Sequence, residues 1–258
     1  MSDPASFYRH HSLRGDHTAP GYVAWRLGRA LDDRRPAGPA LEVGCGVGGN
    51  LAAITERGLA TTGVDLSVRA LREARAAHPG VDVAVADGGR LPFRDASFDL
   101  VVITEVLEHV RDPNSVAAEA GRVTRPGGLL FVTSPNYANG AGLRKLWRDW
   151  RSGRHDWNPW GAHRGGFEAF MTRHRLRAAL APWFEVLWEE GLDPGLGLAG
   201  GAAWFAKLVS GGVGERAFRR LGEGPLAPDR PAGRQLGMNT AILAVRRSPF
   251  ASGGSPAV

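Results

Sequence analysis

The sequence holds one cysteine, Cys45, and two lysines, Lys145 and Lys207. A single thiol excludes a disulfide framework and any cysteine-based zinc site, so a metal would need His and carboxylates alone; none is expected, and a reducing compartment fits. Gly-Lys-Ser/Thr occurs nowhere, which excludes a Walker-type phosphate loop, and two lysines leave little scope for Schiff-base chemistry. The Tyr-x-x-x-Lys pair of the commonest single-domain dehydrogenases is missing too, because Tyr8, Tyr22 and Tyr137 are followed four residues on by Ser12, Arg26 and Ala141. There is no 18-residue apolar segment: the longest uncharged run, Pro126 to Leu143, carries Pro135, Asn136 and Asn139. The first ten residues, MSDPASFYRH, contain no apolar run, so no secretory signal is expected and a cytoplasmic protein is.

What is present suits a soluble globular chain. The apolar share is 43% against 22% charged, well away from the disordered regime, and 258 residues allow one α/β-sized domain with an insertion or small cap. Charge is uneven. Nine basic residues (Arg144, Lys145, Arg148, Arg151, Arg154, Arg164, Arg173, Arg175, Arg177) face three acids (Asp149, Asp156, Glu168) in one segment, and that excess of six equals the net charge of the whole chain, +6.

Apolar spacing predicts a helix over 20–33, a strand over 40–43 entering a glycine cluster, and a helix over 50–57. The alternation repeats: strand 60–64 ending at Asp65, Ser67 as N-cap of helix 68–77, strand 81–86 ending at Asp87, and strand 98–103 with the continuous apolar character of a sheet buried on both faces. Asp112-Pro113 reads as a cap and first-turn proline opening a helix to about residue 124; Arg125 to Gly128 reads as a turn, and 129–133 as a fifth strand. Further on, Thr172 should cap a short helix ahead of strand 184–188, and 238–245 should be a closing strand. This order predicts a doubly wound, mostly parallel seven-stranded sheet with helices on both faces, a ligand at the carboxyl ends of the strands, and a lid or insertion after the fifth strand. The expected divisions are an N-terminal helical segment 1–37, a core 38–136, an Arg/Trp-rich insertion 137–170, the C-terminal part of the core with a helical insertion 171–247, and a tail 248–258.

The cluster LEVGCGVGGN fits two patterns. Gly44-x-Gly46-x-x-Gly49 satisfies the dinucleotide fingerprint, and Glu42-x-Gly44-x-Gly46-x-Gly48 satisfies that of S-adenosylmethionine enzymes. Asp65, 21 residues past Gly44, stands where either wants an acid for ribose hydroxyls. Downstream come VAVADGGRLPF, FDLVVITEVLEHV and RPGGLLFVTSPN at matching intervals. With these motifs in order, residues 38 to 136 resemble the class I S-adenosylmethionine-dependent methyltransferases, especially the ubiquinone/menaquinone-type small-molecule branch.

The resemblance implies S-adenosyl-L-methionine as cofactor, with Gly44, Gly46 and Gly48 beneath its methionine and ribose portions. It implies that Asp65 holds the ribose hydroxyls, Leu66 packs on adenine, Asp87 accepts from the adenine amino group beside the Gly88 backbone, and Thr104 lines the methionine. Glu42 would lie near the methionine amino group or orient the loop, and Arg9 or Arg14 would reach the methionine carboxylate. His109 is the candidate catalytic base, with a structural role as its alternative; His155 and His163 are rivals. Cys45 reads as a packing residue, and Glu105 and Glu108 as exposed capping acids.

The Arg/Trp segment admits a nucleic-acid surface, a membrane-interface patch, or a lid over an acidic or phosphorylated substrate. The lid is preferred, since it follows the fifth strand; the site after the fourth strand reads TEVL, without the Asn/Asp-Pro-Pro-Tyr/Phe of amino-methylating nucleic-acid enzymes. A glycine-rich stretch, 195–209, is read as a pocket-covering helix in preference to a membrane-touching one. The expected activity is methyl transfer to a small-molecule acceptor, a hydroxyl of a sugar, phenol/quinol or secondary metabolite. RNA modification and a non-catalytic cofactor-binding subunit are the alternatives.

Overall fold

The computed structural model describes residues 20–138, 142, 143, 146, 147, 151, 169–192 and 239–248, with the first six and Leu192 as backbone only. Helix α1 (Pro20–Arg34) leads into β1 (Ala40–Val43), α2 (Leu51–Thr55), β2 (Thr61–Asp65), α3 (Val68–Ala77) and β3 (Asp82–Val85). Strand β4 (Phe98–Thr104), a 3-10 turn at Leu107–His109, α4 (Pro113–Val123) and β5 (Thr124–Pro135) follow, then α5 (Arg173–Leu180), β6 (Phe184–Leu192) and β7 (Asn239–Arg246).

The predicted caps are made: Ser67 Oγ accepts from Ala70 N, Asp112 Oδ1 from Asn114 N, and Thr172 Oγ1 from Arg175 N. The sheet is seven-stranded in the order β3-β2-β1-β4-β5-β7-β6. Strands β1 to β5 are parallel and β7 is antiparallel to both neighbours, so the fold is the mostly parallel, doubly wound one expected.

Strand periodicity divides the core between two faces. Val101 and Ile103 of β4, Leu130 and Val132 of β5 and Ile242 of β7 pack with α4 and α5. Leu100, Val102, Leu129, Phe131 and Leu243, one residue out of phase, pack with Leu27 and Leu31 of α1 and Ile54 of α2. Leu100, Val101, Val102 and Ile103 have no solvent exposure, and burial on this scale stabilises by about 1.5–3 kcal/mol per side chain. That is why β4 reads as an unbroken apolar run.

Two expectations are corrected. Arg125–Gly128 is not a separate turn before the fifth strand: β5 begins at Thr124, pairs with Phe98, and resumes at Leu129 opposite Leu100 after a register shift. Gly127 sits at φ +78° within that excursion, where a side chain would be strained. The second correction concerns Glu105 and Glu108, described below. Arg9, Arg14, His155, His163 and the stretch 195–209 lie outside the described residues.

Candidate functional site

The carboxyl ends of β1, β2 and β4 converge on the glycine cluster. Gly44, Gly46 and Gly48 take φ +72°, +53° and +91°, a region that other residues enter only with strain. At Gly44 there is also no space, since a Cβ would collide with the Val106 side chain arriving from β4. At Gly46 and Gly49 a Cβ would meet nothing within 4 Å. The loop is thus packed from beneath and open above.

Asp65 closes β2 and braces this loop. Its Oδ2 accepts from Gly46 N at 2.9 Å and its Oδ1 from Ser67 N at 2.8 Å, leaving lone pairs for a further donor on each oxygen. Burial raises its pKa against the lowering pull of those backbone N–H groups. Leu66 follows it, half-buried. Asp87 is exposed in the turn after β3, where Oδ1 accepts from Gly89 N at 2.9 Å. Gly88 has a packing reason to be glycine, because a Cβ there would stand 2.9 Å from Val43 Cγ1 on β1.

Glu42 is buried, and its carboxyl is pushed up to about 8 by desolvation. Its Oε1 accepts from Asn50 Nδ2 at 2.8 Å, and the same amide donates to Thr104 Oγ1 at 3.0 Å. Asn50 therefore ties β1 to β4 across the loop. It occupies the N-cap of α2 but makes no capping bond, so its residue type signals a helix start while its amide serves the site. Glu42 Oε2 is buried without a hydrogen-bond partner, an arrangement that a neutral, protonated carboxyl tolerates better than a carboxylate.

Cys45 is buried, and desolvation first, then Glu42 and Asp65, raise its thiol, keeping it protonated and a packing residue.

Beyond β4, the chain turns through Glu105 at φ +54°, a left-handed conformation rare for a non-glycine residue. Glu105 is not an exposed cap: its Oε1 accepts from Thr133 Oγ1 and its Oε2 from Asn239 Nδ2, both at 2.7 Å, and burial raises its pKa. Glu108 is 1% exposed, with Ser134 Oγ donating to its Oε2 at 3.3 Å. The reason is β7, which lies beside β5 and, with the 169–171 segment, covers the turn that local sequence leaves open. His109, in the 3-10 turn, places Nε2 3.7 Å from Glu108 Oε1. No group of three or more His, Cys, Asp or Glu suited to a metal ion occurs among the described residues.

Residues 41–132 match the methyltransferase domain family model. That segment covers β1 to the middle of β5 and contains the loop, Asp65, Asp87 and the Glu105–His109 turn. Over that stretch, about a third of the chain, the protein is similar to methyltransferase domains.

Relatives carry the same likeness. An uncharacterized methyltransferase of Mycobacterium sp. (strain KMS) is 40% identical over 134 residues, 52% of this chain and 51% of that protein. A demethylmenaquinone methyltransferase of Renibacterium salmoninarum is 31% identical over 115 residues, 45% of this chain and 48% of that protein. The chain thus spans about half the length of the curated relatives it matches. Among solved structures, an S-adenosylmethionine-dependent methyltransferase of Mesorhizobium loti shares the fold at TM-score 0.57 and 22% identity, covering 88% of this chain and 99% of its own. No helix among the described residues is long and apolar enough to cross a membrane.

Proposed function

We propose that the chain is an S-adenosyl-L-methionine-dependent methyltransferase acting on a small-molecule acceptor, at a hydroxyl of a sugar, phenol/quinol or secondary metabolite. The observation that carries the reading is the Gly46–Asp65 contact: a loop open above two glycines, held by a carboxylate with lone pairs to spare. This donor and acceptor set fits the cofactor. A carboxylate at the end of β2 suits a pair of ribose hydroxyls, and glycines without a Cβ admit close approach of the methionine end. When bound, the cofactor supplies an activated methyl group on a sulfonium.

In this reading Gly44, Gly46 and Gly48 bind through their backbone, Asp65 accepts from the ribose hydroxyls, Leu66 packs on adenine, and Asp87 with the Gly88 backbone receives the adenine amino group. Thr104 lines the methionine side, held by Asn50, while Glu42 orients Asn50 from below. His109 takes the proton from the acceptor hydroxyl, which contributes about 10²- to 10⁴-fold. Alignment of the acceptor supplies more, on the order of 7–11 kcal/mol of barrier lowering. The basic segment 137–170 acts as the lid, its arginines suited to acidic or phosphorylated acceptors.

The test is incubation with methyl-labelled S-adenosylmethionine and extract of the source cells, followed by separation of acid-precipitable, organic-soluble and water-soluble small molecules. Label in either small-molecule fraction is expected, and the fraction tells a lipid-like from a sugar-like acceptor. Label confined to nuclease-sensitive precipitate would refute the substrate class.

A further inference from the structure

Five large apolar side chains are exposed among the described residues, and three of them are neighbours. Leu143, Leu146 and Trp147 are 62%, 49% and 57% exposed, whereas Val68 and Val85 stand singly on α3 and β3. Residues 143, 146 and 147 are each helical, and the sequence spaces them at the intervals of three and four that bring side chains to one helix face. The Arg151 guanidinium lies over the Trp147 ring, 4.7 Å from its centroid, a cation–π contact that brings charge to the edge of the apolar face.

This face is fixed to the site end of the sheet. Gly142 is buried, and a Cβ on it would collide with the Tyr137 carbonyl. Tyr137 is itself buried just past the end of β5, its N–H donating to Met171 O at 2.8 Å. The exposed residues therefore begin at the rim onto which the glycine loop opens. They also begin the segment that carries the basic excess, nine Arg/Lys against three acids from 144 to 177.

We propose that the Leu143–Leu146–Trp147 face is a docking surface for an anionic lipid bilayer. Two leucines and a tryptophan enter the boundary between headgroups and acyl chains, and Arg151 with the surrounding positive charge meets lipid phosphates. Charge complementarity selects an acidic partner, and the leucines select which kind. A polynucleotide could satisfy the arginines and stack on the tryptophan, yet it would leave two leucines in water; a bilayer satisfies all three side chains.

The experiment is co-sedimentation of the full chain with phosphatidylglycerol vesicles and, separately, with phosphatidylcholine vesicles. Binding is expected to phosphatidylglycerol only. The combined variant Leu143→Ser/Leu146→Ser/Trp147→Ser should lower that binding on the order of a hundredfold through lost apolar burial. Arg151→Glu should lower it less, in a manner that added salt abolishes. Because the substituted side chains are exposed, an unchanged circular dichroism spectrum and unchanged S-adenosylhomocysteine affinity are expected. Those two readouts separate loss of docking from failure of the proposed enzyme function. No binding to phosphatidylglycerol, equal binding by the triple-serine variant, or retention by poly(U) RNA in place of the vesicles would overturn the proposal.

Discussion

On the β1–β2–β3 side of the sheet, two contacts that shape the candidate cofactor site join residues close in sequence, Gly46 to Asp65 across 19 positions and Glu42 to Asn50 across eight, while Asn50 reaches out to Thr104 on β4 across 54. On the β4–β5–β7 side, Glu105 reaches Asn239 across 134 positions, Asn136 reaches Arg173 across 37 and Glu108 reaches Ser134 across 26. The two sides also differ in how they hold shape. The first uses glycines at positive φ beneath a single carboxylate; the second uses two acids, Glu108 buried and Glu105 half-buried, bonded to hydroxyls and an amide of distant strands. The brace of the glycine loop is thus a local device within one βαβ unit, whereas the far side exists only once β6 and β7 have docked.

Substitutions can break this division. The largest effect is expected from Asp65→Ala, which removes the brace of the loop and the proposed ribose acceptor together. S-adenosylhomocysteine affinity should fall about a hundredfold or more by calorimetry, as befits loss of charge-assisted bonds, with circular dichroism unchanged. Retained affinity would refute the assignment of the site. His109→Ala belongs to the other side and should do the reverse, keeping cofactor affinity while slowing turnover about a hundredfold. A KM change at constant kcat would reduce His109 to acceptor binding.

Gly44→Ala probes the loop's two constraints, positive φ and the Val106 contact. It should cost on the order of 2–3 kcal/mol in chemical denaturation. Adding Val106→Ala should restore only the part due to collision, so full rescue would show that φ carries no strain. Glu105→Ala should cost about 2 kcal/mol, since Asn239 and Thr133 would lose their acceptor, while S-adenosylhomocysteine affinity stays near wild type. Matching losses of stability and affinity would instead show the two sides to be coupled.

A further effect is pH-dependent and concerns Glu42. Its folded-state pKa, about 8, lies above the ordinary value of 4.5 because the carboxyl is buried, so between those values the folded protein binds more protons than the unfolded chain. Its stabilising contribution is full below the ordinary value and is lost as pH rises through about 8. Unfolding midpoints in urea should therefore decline over that interval, and Glu42→Gln should flatten the decline. An identical slope in the variant would assign the effect elsewhere.

The same contrast explains what could be read from residues alone. Strand and helix positions were legible because apolar period, Ser67, Asp112 and Thr172 act over a few residues, and the loop motif was legible because its parts are adjacent. Glu105 and Glu108 were misread as exposed because no local feature announces that β7 and the 169–171 segment will cover them. Asn50 was visible only as a helix start; its bonds to Glu42 and Thr104 depend on β4 lying next to β1. Likewise Arg125–Gly128 carries the composition of a turn, and only the pairing of Thr124 with Phe98 makes it part of a strand.

The direction of β7 has a further consequence. Because β6 runs parallel to β5 and β7 returns antiparallel between them, Leu192 ends and Asn239 begins opposite Pro135, at the same edge of the sheet. The excursion after β5 is anchored there as well, through Tyr137 N to Met171 O and Ala169 N to Glu108 O. Residues 138 and 169, and residues 192 and 239, thus stand as two pairs of chain positions at one rim, and the seven strands keep their register through pairings among the described residues alone. The described strands form a fixed chassis, and both pairs of positions open on the rim that bears the glycine loop.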